Sequence, residues 1–247
     1  MQAFHTLFKT EFKLSLRGMD MFIFALCMPV IVMIILGVVV GDRPAFEGAS
    51  YTFLEQSFGA VTTIAICAGG VMGLPLVVSD YRHKKILKRF KVTPISPSLI
   101  LAVQLAIYAI YSIVSLLLVY ATSAICFGYD LKGSWLYFLG SYLLVMLSMF
   151  SIGILVGGIA PNVKIAGVIA SLLYFPMLIF SGATLPYEIM PTALQKAADL
   201  LPLTQGIKLM KATSLGLPID KVMWPVLIMI LLAFICTSIS VRFFKWE

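Results

Sequence analysis

The chain has 247 residues, 61% of them apolar and only 12% charged, with a formal net charge of +7. A mean hydropathy of +1.03 excludes a water-soluble domain of this length. The basic surplus calls for no nucleic-acid partner, because Lys and Arg beside membrane spans face anionic lipid headgroups.

Residues 3–19 carry Phe4, Leu7, Phe8, Phe12, Leu16 and Met19 at three- and four-residue spacing, beside a stripe of Lys9, Lys13 and Arg17. This pattern predicts a helix over 1–20 lying at the headgroup boundary of the bilayer. Glu11 falls next to the apolar stripe and interrupts it.

Six apolar stretches follow, at 21–41, 55–78, 99–127, 135–160, 165–182 and 222–241, none with a charged residue in its interior. A helix crossing a hydrocarbon core about 30 Å thick needs about 20 apolar residues, so each is long enough to span. The predicted class is all-α: a polytopic membrane protein of six transmembrane helices in one domain, 1–247. The first span is too long for a signal-peptide core and is read as an uncleaved helix. Pro29, Pro75 and Pro176 predict kinks in spans one, two and five. Gly37/Gly41, Gly69/Gly73 and Gly153/Gly157 are four apart, a spacing that lets helix backbones approach closely. The four cysteines all fall inside spans with no CxxC pair and are read as small apolar residues.

Loop 79–98 is the most polar stretch, SDYRHKKILKRFKVTPISPS, with six Lys and Arg residues against the single acid Asp80. Tyr81 to Val92 predicts about three helical turns with Ile86, Leu87 and Phe90 on one side, stopped by Pro94. The next loop on that side is only Pro161 to Lys164, with Asn162 placed to cap the following helix. Residues 183–221 predict two short helices. Met190, Ala193, Leu194, Ala197, Ala198 and Leu201 form one apolar face, and Leu203, Ile207 and Met210 form another after Pro202. Neither can span, so the pair is expected to re-enter the outer leaflet and close the exit side, with its backbone shielded by protein.

An even number of spans puts both termini on one side. That side holds 12 of the 18 Lys and Arg residues, leaving 6 on the other, so both termini are expected to be cytoplasmic in a cell (plasma or inner) membrane. Uncharged spans lack the Asp, Glu, His or Lys that an ion or proton relay needs. The nearest acid, Glu55 at the mouth of span two, is the one group there that would favour a cation. The sequence has no G-x-x-x-x-G-K-[ST] loop to cradle nucleotide phosphates, and no hydrolase or metal-ligand spacing. The chain is therefore expected to be no enzyme, with no metal and no cofactor of its own.

Two segments resemble the membrane subunits of the ABC type-2 exporter family. In loop 79–98, Arg82, Leu87, Thr93, Pro94 and Ser96 match the family's usual run, while His83, Lys85 and Lys88 stand where it often has Glu, Gly and Glu. After span five, Ser181-Gly182, Pro186, Pro191, Pro202-Leu203-Thr204 and Lys211 are similar to the second family motif.

The resemblance implies a permease subunit of an ATP-driven exporter, paired with a second copy of itself or a homologous permease. Two separate ABC ATPase subunits would bind ATP and magnesium below it, with loop 79–98 as the coupling helix. The implied ATPase contact is Arg82, Lys84, Lys85, Ile86, Leu87, Lys88, Arg89 and Phe90, with Phe8, Phe12 and Arg17 of the terminal helix. The implied substrate path, between spans two and five of the two copies, is Phe58, Thr62, Ile66, Phe175, Leu178 and Ile179. A mostly apolar groove with few hydroxyls suits an amphipathic or lipid-soluble compound: a drug, antibiotic or peptide-like molecule. A lipid-linked polysaccharide is the alternative cargo. A stand-alone channel or secondary transporter is the alternative mechanism.

Overall fold

The computed structural model describes residues 2–18, 22–41, 43–45, 49–84, 97–181, 190–218 and 220–243. Among these residues there are nine helices and no strand, only an isolated bridge between Pro44 and Thr52. We label them α1 (Gln2–Arg17), α2 (Phe22–Val39), α3 (Phe53–His83), α4 (Pro97–Phe127), α5 (Trp135–Ile159), α6 (Val163–Phe180), α7 (Thr192–Ala198), α8 (Pro202–Leu215) and α9 (Asp220–Phe243). Six of them, α2 to α6 and α9, are long and apolar enough to cross a membrane, within a few residues of the predicted stretches. The largest departure is α3, which runs on to His83, so Asp80, Tyr81 and Arg82 belong to the end of a span and not to a separate loop helix.

The central helix is α3. It packs against α2, α4, α5, α6 and α8, and most of its apolar window is buried. Thr52 begins it with a capping box: its hydroxyl accepts from the Glu55 amide at 3.2 Å, and Glu55 accepts from the Thr52 amide at 2.8 Å. In both α2 and α3 a π-helical turn ends two residues before the proline, at Phe22–Cys27 before Pro29 and at Ala68–Gly73 before Pro75. Proline has no N–H for the preceding turn and its ring crowds the carbonyl four residues back, so the backbone widens there. The predicted kinks at these two positions therefore take the form of widened turns.

Glycines let α5 lie directly on α3. A Cβ at Gly153 would sit 1.9 Å from the Gly70 carbonyl oxygen, and one at Gly157 would be 2.7 Å from the Val78 Cβ. The four-residue spacing thus serves contacts inside the subunit. α6 starts where predicted, with Asn162 Oδ1 accepting from the Ile165 amide at 2.9 Å.

The segment after span five holds the expected two short helices, but much of the face expected to be buried from Met190 to Leu201 is uncovered. In α7 only Ala198 is deeply buried, with Met190 just before it; Leu194 is 41% exposed. The second helix, α8, is buried along nearly its whole length and wedges between α3, α5 and α9. Gly59 makes this possible, since a Cβ there would meet the α8 backbone at Lys211 within 2.8 Å. α8 ends at Gly216, whose φ of +67° is the left-handed stop that glycine adopts without strain.

Candidate functional site

On the side of the membrane that carries α1, three helices meet at one polar junction. Glu11 of α1 points its carboxylate at the bundle, where Oε2 accepts from the Tyr81 hydroxyl at 2.5 Å and from Gln104 Nε2 at 3.0 Å. The Gln104 amide also donates to the Tyr81 oxygen at 3.0 Å, closing a triangle between α1, the end of α3 and α4. Ser15 donates to the Tyr111 hydroxyl at 3.1 Å one turn further along. Gln104 is only 5% exposed, so each link is made in a low-dielectric setting where an unmet donor is costly.

The apolar stripe of α1 completes the attachment. Leu7, Phe8 and Phe12 pack against Ala25, Leu26, Val103, Ile107 and Tyr111 of α2 and α4. Phe8 and Phe12 stack at 5.6 Å, and Phe12 meets Tyr111 at 6.2 Å. Three residues of the face expected to lie on lipid, Leu7, Phe8 and Phe12, therefore meet protein, while Phe4 and Leu16 of the same stripe are exposed. Phe8 and Phe12 turn toward their own subunit, and Lys9, Lys13 and Arg17 are the exposed side of α1.

Arg82 also turns inward. Its Nη1 donates to the carbonyls of Gly157 at 3.0 Å and Ala160 at 2.9 Å, at the C-terminal end of α5. The last turn of a helix leaves carbonyls without partners and carries the negative end of its dipole, so a guanidinium satisfies both. Arg82, read from sequence as a contact for a partner protein, holds α3 to α5. Lys84 pairs with Asp80 at 2.8 Å on the exposed surface, an i,i+4 pair worth well under 1 kcal/mol by the usual ~0.3–0.5. Lys85, Ile86, Leu87, Lys88, Arg89 and Phe90 lie outside the described residues, as do Thr93, Pro94, Ser96, Gly182 and Pro186. Between α1 and the bundle is a cavity of about 410 Å³, lined by Glu11, Ser15, Asp80, Tyr81, Gln104 and Tyr108 among others.

The six residues read as a substrate path divide into two groups. Phe58, Thr62 and Ile66 are at most 1% exposed and lie in the subunit's own core, so they line no groove of this chain. Phe58 is the hub of an aromatic cluster, stacked on Tyr129 at 4.4 Å and on Phe138 at 5.6 Å. The Thr62 hydroxyl donates back to the Gly59 carbonyl at 3.0 Å. They are buried because α3 is surrounded on all sides, which the apolar run of span two does not reveal. Phe175 and Ile179, by contrast, are exposed on α6, in line with Ile165, Val168 and Leu172; Leu178 is half-buried against the core. Glu55 is committed as well, since Lys132 Nζ lies 2.8 Å from its Oε2.

Glu11, Tyr81 and Gln104 were missed as a set. Two signals were present: an acid breaking an amphipathic stripe, and the one amide inside span three.

The profile of the ABC-2 type transporter family matches residues 2–215, from the start of α1 to the end of α8. The chain belongs to the ABC-2 type transporter family. It is a multi-pass membrane permease, and permeases of this family work with a separate ABC ATPase. Nodulation protein J of Rhizobium leguminosarum bv. viciae is 36% identical over 95 residues, 38% of this chain and 37% of the relative. Nodulation protein J of R. leguminosarum bv. trifolii is 34% identical over 99 residues, 40% and 38% of the two chains. That of Neorhizobium galegae is 33% identical over 76 residues, 31% and 29%. The matched stretch of this ABC-2 permease thus spans less than two fifths of each of these relatives.

Proposed function

We propose that this permease is the membrane half of an ATP-driven exporter for an amphipathic or lipid-soluble compound, with both termini in the cytoplasm. The supporting observation is the junction of Glu11, Tyr81 and Gln104, which ties α1 to the end of α3 from which segment 85–96 emerges. A push delivered there passes into the most buried helix of the bundle. Glu11, Tyr81 and Arg82 act as positioning residues behind the contact. The contact itself is Lys84, Lys85, Ile86, Leu87, Lys88, Arg89 and Phe90, with Arg17 and the basic stripe of α1. ATP and magnesium bind on the partner, two ATPase subunits serve two permease chains, and closure of the ATPase pair drives the spans.

The path is assigned to the exposed face of α6, through Leu172, Phe175 and Ile179, facing a second permease copy. Co-purification is expected to bring down an ABC ATPase, and charge reversal at Lys84, Lys85 and Lys88 to reduce both its binding and its transport-coupled activity. Unchanged binding and activity in the triple reversal would remove the contact. Gradient-driven flux through the purified chain without any ATPase would replace the whole reading with a secondary transporter. The cargo class is tested by measuring ATPase stimulation across drugs, peptides and sugar-lipids, with amphipathic drugs and peptides expected to stimulate most.

A further inference from the structure

On the side opposite α1, between α5, α8 and α9, lies a cleft of about 590 Å³. Its walls include Tyr137, Gly140 and Leu144 of α5, Leu217 after α8, and Val222 and Val226 of α9, with Lys132 and Ser134 at the rim. The cleft is open because Gly140 faces it: a Cβ there would meet nothing within 4 Å. At the rim the wall is tight where Gly133 lies against the Thr213 carbonyl, a contact of 1.9 Å for any Cβ.

The setting identifies what fills it. The mouth is flanked by Leu136, Tyr137, Met223, Trp224 and Leu227, all more than half exposed on membrane-spanning helices. Trp and Tyr at this level mark a membrane–water interface. From Ser134 to Leu144 the wall runs roughly 15 Å at 1.5 Å per residue, and one leaflet of a hydrocarbon core about 30 Å thick has that depth. The cleft is thus about as deep as a leaflet, mostly apolar with Ser141 and Thr213 as the polar residues below its rim, and opens onto lipid. We propose that it is a binding site for one acyl chain of a phospholipid from that leaflet, with the headgroup at the polar rim formed by Ser134 and the Lys132–Glu55 pair. A bound chain fills the gap between α5 and α9 and supports α8, the helix both of them pack against.

The test uses the full chain in phosphatidylcholine nanodiscs doped with a phosphatidylcholine carrying a diazirine on its acyl chain. Photolabelling in the wild type is expected to concentrate on segments 134–144 and 217–226, above that at Leu172 on the exposed face of α6. Gly140→Leu, which fills the cleft from one wall, and Leu217→Trp, which fills it from another, should each lower this labelling about fivefold or more, a loss of roughly 1 kcal/mol in affinity. Labelling at Leu172 should not change, which separates a blocked cleft from an unfolded chain. Wild-type labelling no greater than at Leu172, or labelling that survives both substitutions, would overturn the site. So would disulfide-linked dimers formed through Tyr137→Cys, since a second copy would then occupy the cleft.

Discussion

Glu11 accepts two hydrogen bonds from neutral donors on two other helices, and no basic side chain is needed to hold it there. A hydrogen bond to a charged group contributes roughly 1.5–3 kcal/mol. Glu11→Ala should therefore loosen α1 and lower the melting temperature in detergent. Glu11→Gln, which keeps an acceptor, should lose less. Limited proteolysis of α1 is the second readout, and equal protection in Glu11→Ala and the wild type would show that the aromatic stack alone fastens the helix. Arg82 is the companion case. Arg82→Ala removes two donors from the end of α5 and is expected to cost roughly 1.5–3 kcal/mol by the same scale. Arg82→Lys keeps the charge without the planar fork and should recover only part of it. A permease whose melting is the same with Ala, Lys and Arg at this position would contradict the cap.

Among the elements, α8 is the one that the rest of the far side is built around. Burying an Asp costs several kcal/mol when no partner awaits it. Leu203 is fully buried and Leu194 is 41% exposed. Leu203→Asp should accordingly abolish accumulation of folded permease, whereas Leu194→Asp should be tolerated, as read by fluorescence-detected size exclusion. The pairing of α3 with α5 gives a sharper contrast between two glycines of one helix. Gly153→Ala places a methyl into the Gly70 carbonyl and must push the helices apart, at the upper end of the ~1–3 kcal/mol usual for overpacking or beyond it. Gly140→Ala meets nothing and should leave melting unchanged. If both were neutral, the close approach of α3 and α5 would not exist in the membrane.

For the molecule as a whole, α1 and the end of α9 share one side, because six spans separate them. With 12 of 18 basic residues on that side, the termini are expected inside. Single cysteines at Lys13 and at Lys132 in a chain freed of its native thiols would check this. An impermeant maleimide added to intact cells should label the second position and not the first, and the opposite pattern would invert the topology.

The six spans, the surface helix and the two short helices were legible because each rests on local facts: stretches of apolar residues longer than a bilayer, a 3.6-residue period, and prolines at helix borders. Asn162 was likewise readable as a cap, since capping involves only the next three residues. Which side of each helix is buried was another matter. In water an apolar face must be covered by protein, but in lipid an apolar side chain is at home on either side, so hydrophobicity cannot separate core from surface. Phe58 and Ile66 therefore looked no different from Phe175 and Ile179, although the first two lie in the core and the others are exposed. The same ambiguity hid that α8 is far more deeply buried than α7.

Sequence by itself determined the class, the number of crossings and the family resemblance that the profile match extends over residues 2–215. Only the tertiary structure decided that Arg82 faces α5, that Glu11 belongs to Tyr81 and Gln104, and that Glu55 pairs with Lys132. These partners lie 70 to 93 residues apart along the chain. A polar group near the membrane must find a partner because unmet hydrogen-bonding capacity is expensive there. Its own sequence neighbourhood states that need without naming the partner, and the helix packing supplies it.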